Sequence, residues 1–376
     1  MRNLSDAERI SWIRLSRAEG IGPVTFFYLI ERFGSASNAI NELPKFVANS
    51  RKSITLPSIS DITSEYEKSK KLGMKWIAHC EADYPELLHN IQSAPPIIGI
   101  YARNHELLSR PTIAIVGTRN ASAAGLHFTN KLANELSNNG FTIVSGMARG
   151  IDSAAHRGSM SGGTVAVIAH GIDDCYPEEN RNLYEEIKEK GIVVTEHGIG
   201  TPIHTSYFAR RNRIIAGLAW VVIVVEAGQR SGALITARYA ADYGREVAAV
   251  PGHPLDPRSR GPNMLIREGA ALIESADDII AIHNQQKFLH ASPHRSSISQ
   301  FGSEDTSIFD LNLDIEIKSS DKDIILGLLG IVPVSIENIV QRSGLPSSQV
   351  RAIIAELEIA GHLIHDCSGQ VMVKQR

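Results

Sequence analysis

The chain has 376 residues, 43% of them hydrophobic and 21% charged, with a formal net charge of −3. This composition predicts a folded protein of two or three domains, in which any nucleic-acid binding must come from a local basic patch. Cys80, Cys175 and Cys367 are scattered along the chain, which is typical of a reducing cytoplasm and of a protein without a cysteine metal site. We expect neither a signal peptide nor a membrane span.

Residues 1–70 are predicted to form a small helical domain, because apolar residues such as Ile10, Ile13 and Phe33 recur near helical spacing. Between two of its helices lies the sequence Gly-Ile-Gly-Pro at residues 20–23. This is the form of a SAM-like or helix-hairpin-helix turn, whose backbone amides can hold a phosphate. A glycine turn in a small helical bundle explains the pattern equally well, so DNA contact at this turn stays open.

From residue 71 to residue 285, short apolar runs alternate with helical stretches. Two strands are expected at residues 75–78 and 97–101. Six further runs are apolar along their whole length, at residues 113–116, 142–144, 164–168, 192–195, 220–225 and 247–250. Strands that are apolar on both faces and separated by helices indicate a mainly parallel sheet covered on both sides. We therefore predict an α/β core of the Rossmann-like type.

The composition changes after residue 285. Residues 286–320 are dominated by Ser, Gln, His and Asn, and are predicted to be a flexible linker. Residues 321–376 are predicted to form a winged-helix domain, with three helices and two short strands around Ser368 and Gly369. This domain carries five Lys and Arg against six Asp and Glu, a net charge of −1. A domain that binds duplex DNA should be basic. We therefore favour protein contact or packing over duplex binding for its recognition helix.

Two neighbouring turns of the core carry the clearest binding signal. In each, a buried apolar strand is followed by a glycine-containing polar turn with one arginine, and then by a helix. Such turns place backbone N–H groups at the carboxyl ends of strands, where open α/β sheets bind ligands and helix N-termini attract anions. Two such turns suggest a ligand with more than one phosphate, although ordinary strand–helix turns also use glycine. The residues concerned are Gly117, Thr118 and Arg119 in the first turn and Ser145, Gly146, Arg149 and Gly150 in the second.

Two later helix starts add to this pattern. Three arginines and one asparagine at residues 210–213 follow two aromatic residues, and cations at a helix N-terminus oppose the helix dipole. This local cost favours a functional role, and arginine beside aromatic rings is typical of single-strand binding. Because the three arginines point in different directions, we expect at least one to pair with a carboxylate such as Glu196 or Glu226. The other helix start offers free amides and a hydroxyl at Ser231, Gly232 and Thr236.

The sequence predicts no cofactor and no metal. After Gly117 the next glycine is Gly125, so the Gly-x-Gly-x-x-Gly dinucleotide signature is missing, as is a Gly-x-x-x-x-Gly-Lys-Ser/Thr phosphate loop. The histidines are not spaced with carboxylates or cysteines as metal ligands, and no Gly-x-Ser-x-Gly nucleophile motif occurs. We therefore expect a binding protein and not an enzyme.

The motifs between about residue 110 and residue 285 resemble, in their order, those of the DNA processing protein A family (DprA, also called Smf). They lie at residues 113–119, 145–156, 176–180, 211–218, 231–237, 250–263 and 265–270. The resemblance implies a single-stranded DNA-binding protein, not an enzyme, that dimerises and loads the recombinase RecA onto incoming DNA during natural transformation. It further implies that Arg119, Ser145, Gly146, Arg149, Arg211 and Arg213 line the DNA pocket.

Two pairs of residues depart from the family pattern. Phe208 is followed by Ala209 where the family usually has proline, and His197-Gly198 stands where an aromatic-proline pair is usual. We expect the loop between residues 196 and 210 to be shaped differently for this reason. The complete set of expected DNA contacts is Gly117, Thr118, Arg119, Ser145, Gly146, Arg149, Gly150, Phe208, Arg210, Arg211, Asn212, Arg213, Ser231, Gly232 and Thr236.

Two other functions compete with DNA binding. A LOG-type nucleoside-monophosphate phosphoribohydrolase would carry the signature Pro-Gly-Gly-x-Gly-Thr-x-x-Glu, whereas residues 251–254 read Pro-Gly-His-Pro. A protein-interaction scaffold that does not bind DNA is the third interpretation.

Overall fold

The computed structural model describes residues 3–47, 54–103, 105–291, 319–330, 332–365 and 370–374. The N-terminal part is helical, with α1 Asp6–Ser16, α2 Pro23–Phe33, α3 Ala36–Val47 and α4 Ile59–Lys71. Local sequence sets these bounds. Ser5 caps α1 by accepting a hydrogen bond from the Glu8 amide, and Ser58 caps α4 in the same way. α2 begins with a proline and ends at Gly34, whose φ of +76° is favoured by glycine.

The centre of the chain forms one nine-stranded sheet. Its strands are β1 Lys75–Ala78, β2 Ile97–Ala102, β3 Thr112–Val116, β4 Thr142–Ser145, β5 Thr164–Val167, β6 Ile192–Thr195, β7 Val221–Val224, β8 Glu246–Ala249 and β9 Ala271–Leu272. They are arranged in the order β1-β2-β6-β5-β4-β3-β7-β8-β9. Along this spatial order, every neighbouring pair between β6 and β9 is parallel. β2 pairs antiparallel with β6, and β1 pairs antiparallel with β2.

Helices cover both faces of the sheet, as the doubly apolar strands require. The helices of the core are α5 Glu86–His89, α6 Ala123–Asn138, α7 Ile151–Ser159, α8 Arg181–Lys190, α9 Thr205–Leu218, α10 Gly232–Asp242, α11 Arg260–Arg267 and α12 Ala276–Ala291. Apolar residues of α5, α9 and α10 pack on one face, and those of α6, α7 and α12 on the other. The N-terminal helices share a third cluster with β1, β2 and α8, so they are packed on the β1–β2 end of the sheet.

The C-terminal part is a winged helix. It contains α13 Ser319–Leu328, α14 Ile336–Ser343, α15 Ser347–Ile359 and the antiparallel pair β10 Leu363–His365 and β11 Val371–Val373. Its own core is centred on Ile325, Ile339 and Ile353, which are at most 1% exposed. The expected recognition helix corresponds to α15.

The recognition helix α15 lies against α2 of the N-terminal domain. The buried hydroxyl of Thr25 donates a hydrogen bond to the carboxylate of Glu358, which is only 6% exposed. Val24 packs against the winged-helix core, and Ile359 in turn belongs to the N-terminal apolar cluster. Packing thus occupies this face of α15, which agrees with its lack of basic charge.

Several predicted bounds agree with the structure, and others differ. The predicted strands at 75–78 and 192–195 coincide with β1 and β6. The antiparallel extension and the short strand β9 were not predicted. α12 continues to Ala291, into the stretch expected to be linker; residues 292–318, Ser368 and Gly369 lie outside the described residues. No helix in the described ranges is long and apolar enough to cross a membrane.

Candidate nucleic-acid interface

The site lies where the order of the sheet reverses. β3 is flanked by β4 on one side and by β7 on the other, so the chain leaves β3 towards one half of the sheet and later returns to the other. In open α/β sheets a crevice forms at the carboxyl ends of the strands at such a point, and ligands bind there. The turns after β3, β4 and β7 all meet at this edge.

A carboxylate holds the turn after β3 in place. Glu226 accepts hydrogen bonds from the backbone amide of Ser122 at 2.9 Å and from its hydroxyl at 2.5 Å. Ser122 in turn caps α6, and the Thr118 amide donates to the Glu226 carbonyl at 2.6 Å. Glu226 therefore stabilises the turn, and it forms no ion pair with an arginine of the described residues. Arg119 and Asn120 are left exposed at its tip.

The turn after β4 touches the turn after β3. Gly150 has a φ of +76°, and a Cβ atom on it would lie 2.3 Å from the carbonyl oxygen of Thr118. The Ile151 amide donates to that same carbonyl at 3.3 Å. Only glycine fits at position 150, and the close contact brings the start of α7 next to the first turn.

We expected Arg211 to lie at the DNA surface, but the structure shows that its side chain is buried. Its side chain is 5% exposed and donates to the carbonyl of Gly146 at 2.5 Å and to that of Val167. A Cβ atom on Gly146 would lie 2.4 Å from this guanidinium, which explains the glycine. Burial lowers the pKa of Arg211 to about 10, against the attraction of Asp152. Arg211 therefore ties α9 to the ends of β4 and β5.

Arg213 was also expected to line the pocket, and it too is buried. It forms an ion pair with Glu196, in which the two side chains are 6% and 14% exposed. This confirms that one arginine of the cluster pairs with a carboxylate. Burial alone would raise the pKa of Glu196, but the charges of Arg213, His197 and Arg210 hold it below its usual value.

Two further side chains in the expected set are buried and already bonded. Ser145 is fully buried and donates to the Ile115 carbonyl at 2.7 Å. Thr236 is 1% exposed and its hydroxyl faces the Gly232 carbonyl at 3.5 Å. Burial makes both side chains inaccessible to a ligand, and their hydroxyls face backbone carbonyls in the neighbouring strand β3 and in the first turn of α10 respectively.

The exposed part of the site combines one arginine with two aromatic rings. The guanidinium carbon of Arg119 lies 5.6 Å from the centre of the Phe208 ring. The centre of the Tyr176 ring lies 5.3 Å from that of Phe208, and the two rings are tilted by 42°. Tyr176 is 39% exposed. It was absent from the expected contacts, although an aromatic residue before proline just beyond β5 is a signal that could have indicated it.

The remaining expected residues surround these rings. Arg149 is exposed and forms an exposed ion pair with Glu179 at 3.6 Å. Asn212 donates from its amide to the Gly232 carbonyl at 3.1 Å, and Ser231 caps α10. Arg210 is exposed and has no hydrogen bond or ion pair within the described part of the chain. Searching the described residues alone, we find no group of three or more His, Cys, Asp or Glu arranged to hold a metal.

The fold defines a Rossmann-like α/β protein with helical and winged-helix flanking domains. A family model described as DNA recombination-mediator protein A matches residues 75–284. Models of the DprA-like N-terminal HHH domain and of the DprA winged-helix domain match residues 6–67 and 313–365. The chain belongs to the DprA family of DNA recombination-mediator proteins, as its motifs had indicated.

Individual relatives agree with this assignment. Protein Smf of Escherichia coli is 34% identical over 295 residues, which cover 78% of this chain and 75% of the relative. DNA processing protein DprA of Streptococcus pneumoniae is 44% identical over 200 residues, covering 53% and 70%.

Two solved structures are similar to the fold. The structure of DprA from Streptococcus pneumoniae has a TM-score of 0.63 and 31% identity, and covers 75% of this chain and 98% of that one. That of DprA from Helicobacter pylori has a TM-score of 0.52 and 27% identity, and covers 57% and 96%. The latter is described as giving insights into the single-stranded DNA binding mode of the Helicobacter pylori protein.

Proposed function

We propose that this protein binds single-stranded DNA and acts as a recombination mediator without catalytic activity. In this proposal it works in the cytoplasm as a homodimer, protects incoming DNA and loads RecA onto it during natural transformation. The observation that carries the DNA-binding part is the exposed Arg119 guanidinium over the Phe208 ring, at the tip of the turn that contacts the start of α7. Family membership supports the mediator role.

This arrangement suits a single strand better than a nucleotide cofactor. Arg119 has no ion-pair partner among the described residues, so its charge is available to a phosphate. The rings of Phe208 and Tyr176 offer apolar faces on which unpaired bases can stack, whatever their sequence. A duplex would keep its bases stacked on each other, and could use only the charges.

The expected contacts divide into two groups. The residues proposed to touch DNA around Arg119 and Phe208 are Gly117, Thr118, Arg119, Arg149, Gly150, Phe208, Asn212, Ser231 and Gly232, and Arg210 is proposed to touch the strand farther along it. The other expected residues are buried and are proposed to support the site without touching DNA; they are Ser145, Gly146, Arg211, Arg213 and Thr236.

Titration of a fluorescent oligo-dT, followed by anisotropy, tests the proposal. We expect tight binding of the labelled oligo-dT. Unlabelled single-stranded DNA should displace it, and unlabelled duplex DNA should not. A protein that releases base from nucleoside monophosphates, or that binds no oligo-dT, would contradict it. RecA loading is tested separately, by the rate at which RecA filaments form on single strands coated with single-strand-binding protein, and the dimer by sedimentation velocity.

A further inference from the structure

The start of α9 separates two groups of aromatic rings. Tyr207 and Phe208 are consecutive, so their side chains diverge by about 100° around the helix. Phe208 faces the site described above. The Tyr207 ring instead stacks on His197, with ring centres 4.4 Å apart and an angle of 27°, and lies 5.5 Å from the ring of His204. His204 is exposed, and the other two rings are partly exposed.

An arginine that forms no ion pair with a described residue accompanies this second group. Arg210 follows Tyr207 by three residues, and residues at this spacing lie on the same face of a helix. Arg210 lines a small pocket between the core and the N-terminal domain, together with Arg17, Gly22, Pro95 and others.

The other charged groups of this pocket are already paired. Arg17 forms an ion pair with Glu65, and Arg213 forms one with Glu196. Among the described residues that line the pocket, Arg210 therefore supplies the excess positive charge. Each side of the α9 start thus offers the same pair of features: a partly exposed aromatic ring and an arginine that forms no ion pair with a described residue.

We infer that the second side of α9, formed by Tyr207, His204, His197 and Arg210, is a further binding segment for the same single strand. This inference rests on the proposed DNA binding at Arg119 and Phe208. The strand would cross the start of α9, leave one base on the Phe208 side, place a later base against the Tyr207 and His204 rings, and bring a backbone phosphate to Arg210. Stacking makes the segment tolerant of base sequence, and it requires unpaired bases.

An oligo-dT length series distinguishes the two segments. Lengths from roughly 4 to roughly 16 nucleotides span the site sizes of common single-strand modules. Affinity of the full-length protein should rise with length until both segments are filled. Tyr207→Ala should then weaken binding of long oligonucleotides about tenfold and Arg210→Ala about fivefold, while binding of the shortest ones stays unchanged. Tyr207→Phe keeps the ring and should behave as wild type at every length.

A second readout excludes a merely structural role of these residues. Arg210→Ala should reduce the log–log salt slope by about 0.7 for long oligonucleotides only, because one phosphate contact is lost there. Equal loss at all lengths, or an unchanged length dependence in both Tyr207→Ala and Arg210→Ala, would overturn the second segment. Phe208→Ala and Arg119→Ala should weaken binding at all lengths. If these two variants also bind as wild type does, the proposed site itself is wrong.

Discussion

Arg213 and Glu196 form a buried ion pair that joins α9 to the end of β6. Arg213 also donates to the Ser93 carbonyl at 2.8 Å, so a single guanidinium connects three segments of the core. Removing it leaves a carboxylate buried without its partner. We therefore expect Arg213→Ala to lower the free energy of unfolding by about 3 kcal/mol, as for other broken buried pairs. Chemical denaturation measures this.

Two matched variants test the cause. Arg181 pairs with Glu178 at the surface, where the side chains are 48% and 70% exposed, so Arg181→Ala should cost less than about 1 kcal/mol. Arg210→Ala should leave the melting temperature unchanged and cost about 1 kcal/mol of DNA affinity for long strands. A large loss of stability in Arg210→Ala with none in Arg213→Ala would mean that the two roles are reversed.

Arg119→Ala should weaken single-strand binding about equally for all base sequences. A phosphate contact carries charge but no base information. Losing one such contact should also reduce the log–log salt slope by about 0.7. Arg267→Ala is the control. Arg267 is exposed at the end of α11, just before β9 begins, and therefore lies at the amino ends of the parallel strands, whereas the site lies at their carboxyl ends. An unchanged salt slope in Arg119→Ala would speak against a phosphate at this residue.

The winged helix should be dispensable for single-strand affinity. Truncation after residue 291 should change that affinity by less than tenfold, about 1.4 kcal/mol, because the module is not basic and packing occupies α15. The same truncation should lower the melting temperature, since Val24 and Thr25 lose their cover. A loss of affinity well above tenfold would show that the module contacts DNA.

Thr25→Val tests the packing of α15 on α2 in the full-length chain. The substitution keeps the volume of the side chain and removes the hydroxyl that donates to the buried Glu358 carboxylate. An unsatisfied buried group should cost about 1–3 kcal/mol of stability. Thr63→Val, at a half-buried position on α4 where the hydroxyl makes a solvent-exposed hydrogen bond to the Ile59 carbonyl, is the control. Equal stability of the two variants would mean that the α2–α15 contact contributes little.

His156 should make the fold sensitive to acid. Burial lowers its pKa from 6.5 to about 3, and its ring is hydrogen-bonded to Thr164 at 2.7 Å. Below pH 6.5 the unfolded chain binds a proton at His156, whereas the folded chain does so only near pH 3. The free energy of unfolding is therefore highest above pH 6.5 and decreases towards pH 3. At pH 5 the loss is about 2 kcal/mol. His156→Asn should lose less stability between pH 7.5 and pH 5 than wild type does, whereas His127→Asn, at an exposed position, should lose as much as wild type.

The order of elements was readable from the sequence because the pattern that predicts them is local. Uninterrupted apolar runs such as β3 and β7 are specified by their own residues and by the buried position of parallel strands. The pairing of β2 with β6 could not be predicted, because the two strands are about ninety residues apart and a local sequence pattern does not specify a distant partner. The same is true of the contact between α2 and α15.

Within the site, residue type did not predict which side chains are exposed. Of the three arginines at the start of α9, Arg211 and Arg213 are buried and only Arg210 is exposed. Helical spacing alone could not assign these roles, because it does not tell which face of α9 meets the sheet. The Tyr176 ring was missed for a related reason: its neighbour Phe208 is distant in the sequence.

The carbonyl of Thr118 accepts from Ile151, and the amide of Thr118 donates to the carbonyl of Glu226. One peptide segment thus bridges the turns after β3, β4 and β7. Local opening of any one of these turns would break a hydrogen bond that belongs to its neighbour, so the three turns should exchange their amide hydrogens as one cooperative unit. A strand that orders the tip at Arg119 would slow exchange at Ile151 as well. We therefore expect a short ligand that occupies only one of the turns to slow exchange in all three.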